Sequence, residues 1–315
     1  MIFDDIGSFP LPEGINREWI NENLESKEYA EMVKRTFLMK INAGVELPNY
    51  PQFRNMNEMF LNLIKNPKYQ EDPYLIKKKF AKIREVEVLK EMKVDEIRAC
   101  VTGPFELYYR EFGPVIYDDI LENLSKSVSR FIENLDDRVK CVSIDEPSLG
   151  VNPELQPSKD QIELAFEKIK FKGDVQIHLH SPLFYPQLLE VKSIDVIGIE
   201  AAKDEKALNF LNREDLESYD KYVRIGIARS DIDGILAEYY EKFKINAWES
   251  SEEVLKAIDT IESPNVIEKR ISRALKLFED RLRYIGPDCG LFSFPSQEHA
   301  VKLLENVKKA KSKYE

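Results

Sequence analysis

The stretch IGPDCGL, residues 285–291, is the most informative part of this sequence. It continues a short apolar run that begins at Leu282, and a Gly-Pro break ends the run just before Cys289. This pattern is typical of a buried strand with a reactive side chain at its carboxyl end. Two other apolar runs end in the same way, VQIHLHSP with His180 and VIGIEAA with Glu200. The three segments predict strands whose ends carry a sulfur, an imidazole and a carboxylate.

The same alternation of apolar runs and amphipathic stretches continues along the whole chain. The predicted strands are residues 2–7, 44–47, 97–102, 139–145, 175–180, 196–200, 223–228 and 282–289. The predicted helices are residues 28–42, 76–92, 117–135, 160–169, 206–211, 251–261, 266–278 and 297–311. Eight strands alternating with helices indicate an α/β protein with a (β/α)8 TIM barrel, a single domain over residues 1–315.

A doubly wound open sheet is the alternative architecture. It normally carries a glycine-rich dinucleotide turn after its first strand, and no such turn is present. Two stretches, residues 50–74 and 231–252, are longer than ordinary connections. We expect both to be insertions at the top face of the barrel, where they would act as lids.

Composition excludes several classes of function. The net charge is −11 and no basic cluster is present, so nucleic-acid binding is not expected. No run of about 18 apolar residues occurs, which argues against a membrane span. The start, MIFDDIGSFP, is acidic where a secretory signal would be basic. The three cysteines lack a CxxC pair, which indicates a reducing compartment, and we expect a cytoplasmic protein.

His180, Glu200 and Cys289 form a plausible zinc set. Zinc accepts nitrogen, oxygen and sulfur ligands, and a catalytic site keeps one position open, here for the sulfur of a thiol substrate. The alternative is that Cys289 is a buried packing residue. His178 faces the same side of its strand as His180. It could be an outer hydrogen-bond partner, a ligand in place of His180, or a packed residue in the barrel lumen.

Polar residues follow nearly every predicted strand. They are Ser8, Glu46, Thr102, Asp145, Glu146, His180, Glu200, Arg229, Asp231 and Cys289. Asp145 and Glu146 are adjacent, so one should face the barrel mouth and the other the surrounding shell. An inward Asp145 could pair with a substrate ammonium group, or with an Arg or Lys of a neighbouring strand. Ser8 lies in a tight turn whose N–H groups and hydroxyl could hold a carboxylate, although the turn alone would explain it.

Seven segments together resemble the catalytic half of the cobalamin-independent methionine synthases, within the uroporphyrinogen decarboxylase/methionine synthase-like barrel superfamily. The segments are IGSFP at the start, RNMNEMF at 54–60, VTGP at 101–104, IDEPSL at 144–149, IHLH at 177–180, IGIE at 197–200 and GPDCGL at 286–291. They follow the family's order and cover nearly the whole chain. The resemblance implies transfer of a methyl group to the thiolate of homocysteine, which gives methionine.

The resemblance also implies roles for individual residues. His180, Glu200 and Cys289 match the family's zinc ligands. Ile6 and Ser8 match the groups that hold the homocysteine carboxylate, and Asp145 matches the group that pairs with its amine.

Four positions depart from the family pattern. Pro182 stands where the family has a second cysteine ligand, and Asp233 is nearest to the family's proton-shuttling histidine. Arg110 falls at or near the folate-stacking tryptophan, and Gln52 is nearest to a glutamate before the RN-D-M motif. Asp233 would then be the catalytic proton carrier, and Gln52 a substrate-binding residue.

The methyl donor is expected to differ from that of the folate-dependent enzymes. Those enzymes carry a second, N-terminal barrel, for which this chain has no room. The shorter, archaeal-type folate-independent methionine synthases fit better, and the resemblance to them implies a methylated corrinoid, held by a partner protein, as donor. Residues 231–252 could dock that partner or could be an ordinary amphipathic helix. Two other functions stay open: zinc-dependent alkyl transfer to another thiol, and a degenerate barrel that binds a methyltransferase without catalysis.

Overall fold

The computed structural model describes residues 1–315, and it has the predicted α/β barrel architecture. The strands are β1 Ile2–Phe3, β2 Gln70–Asp72, β3 Leu75–Ile76, β4 Ile97–Thr102, β5 Val139–Asp145, β6 Asp174–Leu179, β7 Val196–Ile199, β8 Tyr222–Ala228 and β9 Leu282–Pro287. Seven of them form one parallel sheet in the order β1-β9-β8-β7-β6-β5-β4. The remaining two, β2 and β3, form a separate antiparallel pair.

Residues 47–52, called here the closing segment, complete the barrel between β1 and β4. This segment joins its neighbours through three isolated parallel bridges instead of a continuous ladder. The bridges are Asp4 with Leu47, Ser8 with Gln52, and Asn49 with Arg98. The closing segment therefore takes the place of the second predicted strand. Eight segments, called staves here, then form the wall of the barrel.

A buried ion pair supplies the polar contacts that the missing ladder would have made. The ammonium group of Lys40 lies 2.6 Å from Asp5 Oδ2 and 3.2 Å from the carbonyl oxygen of Asn49. Asp5 Oδ1 in turn accepts a hydrogen bond of 2.7 Å from the backbone N–H of Asn49. Both charged side chains are almost fully buried. A lysine of the outer helix layer thus connects the first stave of the barrel to the second.

Thirteen α-helices cover the sheet. They are α1 Arg17–Glu22, α2 Lys27–Asn42, α3 Glu58–Ile64, α4 Arg84–Leu89, α5 Pro104–Phe112, α6 Asp118–Glu133, α7 Lys159–Phe166, α8 Tyr185–Leu189, α9 Arg213–Ser218, α10 Ile232–Phe243, α11 Ser251–Ile261, α12 Pro264–Phe278 and α13 Gln297–Lys311. A single apolar core of 83 buried residues runs between the helices and the sheet. No helix has the length and apolarity that crossing a membrane requires.

Two expectations about local structure are wrong. Residues 76–92 do not form one helix, because the backbone of Ile76 is held extended by Ser127 and Arg130 of α6. Only Arg84–Leu89 of that stretch is α-helical. Glu46 does not stand at the carboxyl end of a strand. It precedes the closing segment, at the amino end of the barrel, and its carboxylate contacts Lys311 at 2.6 Å.

The two long connections are partly structured. Residues 50–74 contain α3, and they reach the end of β4 where Thr102 donates a hydrogen bond of 2.7 Å to the carbonyl oxygen of Met56. Residues 231–252 contain α10, which packs on α11 through buried residues such as Ile235 and Leu236. An amphipathic helix packed on the barrel, one of the two expectations for this stretch, therefore describes α10.

Candidate metal centre and substrate pocket

Four side chains converge at the carboxyl ends of β6, β7 and β9. His180 Nε2 lies 3.2 Å from Glu200 Oε1 and 3.5 Å from the sulfur of Cys289. His178 Nε2 lies 3.8 Å from the same Glu200 oxygen. All four potential ligand atoms fall within 4.8 Å of one another. The barrel therefore brings the three residues of the predicted zinc set together, with His178 as a fourth member.

The hydrogen bonding of this group is incomplete. Neither ring nitrogen of His178 forms a hydrogen bond, nor does Oε1 of Glu200, although these three atoms are buried. Buried polar atoms in folded proteins almost always have a partner. Two nitrogens, one oxygen and one sulfur are a donor set that zinc accepts. The unpartnered atoms and the chemistry of the set both fit a divalent metal such as zinc.

Burial also shifts the pKa values of the four groups, downward for the histidines and upward for the two acids. It lowers the pKa of both His178 and His180, so their imidazoles are neutral near neutral pH and able to bind a metal. Burial raises the pKa of Glu200, and burial together with the neighbouring Glu200 raises the pKa of the Cys289 thiol. A bound cation would oppose both shifts and favour the ionised forms of the two acids.

Asp288, which no sequence motif indicated, links the segment after Glu200 to the residue before Cys289. Its carboxylate accepts hydrogen bonds of 2.8–2.9 Å from the backbone N–H groups of Ala201, Ala202 and Lys203. Those residues directly follow Glu200, so Asp288 ties the end of β7 to the end of β9. Gly226 makes this approach possible, because a Cβ there would lie 2.0 Å from Asp288 Oδ1. The only available signal was an acidic residue beside Cys289.

A layer of buried charge lies beneath the four side chains. Arg98 and Arg224 both pair with Asp4, and Arg224 also donates a hydrogen bond of 2.7 Å to the carbonyl oxygen of Pro287. All three charged side chains are fully buried. The positive charge of Arg224 lowers the pKa of Glu200 against the larger effect of burial. This layer forms the floor of the pocket and braces β9 just before Cys289.

Asp145 stands beside the metal group. It is the register partner of His178 on the neighbouring strand, and it faces the lumen. Its carboxylate accepts a hydrogen bond of 2.7 Å from Ser143, and burial raises its pKa to about 7. Glu146 faces the other way and accepts hydrogen bonds from the first turn of α5, at the N–H groups of Phe105 and Glu106. The predicted division between an inward Asp145 and an outward Glu146 is therefore observed.

The predicted carboxylate-binding residues lie at the same end of the barrel. The carbonyl oxygen of Ser8 accepts a hydrogen bond of 2.8 Å from Leu291 N, two residues beyond Cys289. A Cβ at Gly290 would lie 1.8 Å from Ser8 Oγ, so the serine fits only against glycine. Gln52 forms a backbone bridge with Ser8 and is buried. Ile6, two residues before Ser8, is also buried.

Comparisons with known proteins bear on this arrangement. No known family model matches the chain. A methionine synthase of Sulfurisphaera tokodaii is 23% identical over 97% of this chain and 90% of that protein. A 5-methyltetrahydropteroyltriglutamate–homocysteine methyltransferase of Thermotoga petrophila is 22% identical over 72% of this chain, which covers only 30% of that longer protein. The chain is therefore similar to methionine synthases over nearly its whole length. A B12-independent methionine synthase of Shewanella, solved with selenomethionine, shares the fold with a TM-score of 0.63 at 14% identity, over 99% of this chain and 97% of that one.

These findings confirm the resemblance to the cobalamin-independent methionine synthases that seven segments indicated. Three departures from the methionine synthase pattern have a place in the structure. Pro182 opens a short 3₁₀ turn directly after the β6 end and offers no ligand atom. Asp233 is exposed in the first turn of α10 and is not part of the group of four. Arg110 is exposed in the last turn of α5. The catalytic role of Asp233 stays a prediction.

A different acid, Asp231, acts on the metal group through its charge. Asp231 directly follows the β8 end region and pairs with Arg229 at 3.0 Å and with Lys203 at 3.1 Å. Its negative charge contributes to raising the pKa of Glu200. These ion pairs hold the connection after β8 against the loop after β7, at the rim of the pocket.

Proposed function

We propose that this protein transfers a methyl group to the sulfur of homocysteine at a zinc centre held by His180, Glu200 and Cys289. The observation that carries the proposal is the convergence of unpartnered ligand atoms at the carboxyl face of a barrel related to the methionine synthases. In barrels of this kind chemistry takes place at that face. Methionine would be the product.

The chain's own residues would bind and orient the substrate. When bound, zinc would lower the pKa of the substrate thiol so that a nucleophilic thiolate exists near neutral pH. The ammonium group of homocysteine would pair with Asp145, whose buried carboxylate has only a neutral hydroxyl as hydrogen-bond partner. The turn at Ile6 and Ser8 would hold the carboxylate, with Gln52 beside it. Asp233 would carry the proton that leaves the thiol.

An amino-acid thiol suits this pocket better than another thiol. A simple alkyl thiol needs neither a countercharge for an ammonium group nor hydrogen bonds for a carboxylate. Replacement of Asp145 by Ala should therefore weaken binding of homocysteine far more than binding of 2-mercaptoethanesulfonate. Calorimetric titration of the zinc-loaded protein with each thiol would measure both affinities, and equal losses would remove Asp145 from the substrate pocket.

The methyl donor would be a methylated corrinoid carried by a partner protein. Arg110 occupies the region of the family's folate-stacking tryptophan, and it is a charged, exposed side chain. The net charge of −11 would also repel an anionic folate polyglutamate. Both features argue against a folate and favour a cobalt-bound methyl group, which would pass to the thiolate while cobalt keeps the electron pair of the broken bond.

The first test is the metal content of the protein. Elemental analysis of the wild type should give about one zinc per chain, and Cys289→Ser should lose most of it because the thiolate ligand is gone. Cys141→Ala is the matched control, since Cys141 is a buried cysteine near the amino end of β5. Metal content that is the same in Cys289→Ser as in the wild type would refute the proposed centre.

The second test is the reaction itself. Zinc-loaded protein, homocysteine and methylcobalamin should yield methionine, with Cys289→Ser as the inactive control. A methylated folate triglutamate should give little or none. If neither donor gives methionine while zinc is bound, the barrel is a metal-binding partner of a methyltransferase and the proposed activity is wrong.

A further inference from the structure

We infer that His178 is itself a metal ligand, so that the centre consists of two imidazoles, one carboxylate and one thiolate. This inference rests on the proposed function, because it completes the same zinc site. Both histidines come from one strand, two residues apart, and therefore point to the same side of β6. Their ring centroids lie 5.3 Å apart at an interplanar angle of 72°.

The position of His178 places its nitrogen within reach of a shared ion. Its Nε2 atom lies 3.8 Å from Glu200 Oε1, and it belongs to the set of four ligand atoms that all lie within 4.8 Å. Zinc-to-ligand bonds of about 2.0–2.3 Å put two ligand atoms of one tetrahedral ion roughly 3–4 Å apart. The three separations of 3.2, 3.5 and 3.8 Å among these atoms fall in that range.

The surroundings of His178 offer it no other partner. Its side chain is 2% exposed, and neither of its ring nitrogens forms a hydrogen bond. Asp145, its register partner, is engaged by Ser143 instead. The contrast with His299 is direct, because that buried histidine is bonded to Ser296 at 2.8 Å and to Ser251 at 3.1 Å. A buried imidazole with two idle nitrogens is unusual unless a ligand is to be held there.

Pro182 explains why the centre would need a second histidine as a metal ligand. It occupies the position that the resemblance assigns to a second cysteine ligand, and its side chain has no atom that can bind a metal. With His178 in that role, the thiolate of Cys289 and the carboxylate of Glu200 balance the two positive charges of zinc. The centre is then neutral before substrate binds, whereas a centre with two thiolates and a carboxylate carries one negative charge.

The experiment compares zinc binding in wild type, His178→Gln, His180→Gln and Cys289→Ser. X-ray absorption of the zinc-loaded wild type should show scattering from two imidazoles and one sulfur, and His178→Gln should show one imidazole. Zinc affinity, measured by competition with a chelator, should fall about 100-fold or more in His178→Gln, since even the loss of an outer hydrogen-bond partner costs roughly 10- to 100-fold. His299→Gln, at the buried histidine outside the site, should keep both the wild-type spectrum and the wild-type affinity.

If His178 had only a structural role, His178→Gln would lower the thermal midpoint of the metal-free protein. The inferred ligand role predicts a different result. Because the imidazole has no partner in the metal-free protein, His178→Gln should leave the thermal midpoint of that form unchanged. Wild-type affinity in His178→Gln, with an X-ray absorption spectrum the same as that of the wild type and with zinc lost from His180→Gln and Cys289→Ser, would overturn this inference and leave the proposed function intact. Wild-type zinc affinity in all three site variants would instead overturn the proposed metal centre.

Discussion

At the scale of single residues, the carboxylate of Asp145 has no direct ion-pair partner. It is buried in the lumen, and the hydroxyl of Ser143 is a neutral partner. The arginines beneath it only partly offset the effect of burial, which raises its pKa to about 7. A substrate ammonium group would supply the countercharge and return the carboxylate to its ionised form.

This raised pKa predicts how stability depends on pH. Between about pH 4 and pH 7 the folded protein keeps a proton on Asp145 that the unfolded chain has lost, so the wild type loses stability as pH rises through this window. Asp145→Asn does not titrate. The free energy of unfolding of the metal-free variant should therefore gain on the wild type from pH 4 to pH 8, by up to about 4 kcal/mol. Denaturant titrations at the two pH values would measure it, and parallel pH profiles for the two proteins would contradict it.

At the scale of elements, the carboxylate of Asp288 joins the connection after β7 to the end of β9. Three backbone N–H groups depend on it, at Ala201, Ala202 and Lys203. This contact sets the position of Glu200 relative to Cys289, and it does so without touching the metal group through its own side chain. Asp288 is therefore a positioning residue.

Asp288→Ala should lower zinc affinity roughly 10- to 100-fold, because the segment that carries Glu200 loses its anchor. It should also destabilise the protein by about 2 kcal/mol or more, since three buried donors lose their acceptor. Asp195→Ala is the matched control. Asp195 accepts a hydrogen bond of 2.8 Å from Val175 N at the amino end of the strands, far from the site. Chelator competition should show a loss for Asp288→Ala alone, and equal losses would mean that the effect is general.

Several elements could be predicted from the sequence because their periodicity is strong. The strands at 97–102 and 139–145 and the helices at 251–261 and 297–311 have the expected bounds. The local sequence pattern gave a wrong prediction where distant residues decide the conformation. At Ile76, for example, side chains of α6 hold the backbone extended. The pairing of His178 with Glu200 and the anchoring by Asp288 could not be read from spacing. They depend on the register between strands that are separated in sequence.

At the scale of the whole molecule, the barrel is closed unevenly. Six strand pairs have ladders, whereas the closing segment has three bridges and the Lys40–Asp5 ion pair. Breaking a buried ion pair by removing one partner leaves the other charge buried and uncompensated.

Lys40→Met should therefore destabilise the protein by about 3–5 kcal/mol, because the buried carboxyl group of Asp5 would lose its partner. The matched control is Lys34→Met on the same helix, where Lys34 contacts the exposed Glu31 and Glu91, and it should have a small effect by comparison. Chemical denaturation of both variants would decide this. Similar losses in the two proteins would show that the buried ion pair does not contribute to closing the barrel.

The closing segment also determines where the folded barrel should open locally. Three amide groups of residues 47–52 donate hydrogen bonds, from Leu47 to Phe3, from Asn49 to Asp5 and from Gln52 to Gly7. Because no continuous ladder supports these bonds, their protons should exchange with solvent deuterium before those of β4 and β5. Ser8 lies on the stave next to this seam, while His178, His180 and Glu200 lie across the barrel on its continuous side. Faster exchange in the closing segment than in β6 and β7 would mean that the wall beside Ser8 opens locally while the wall that carries the metal ligands stays closed.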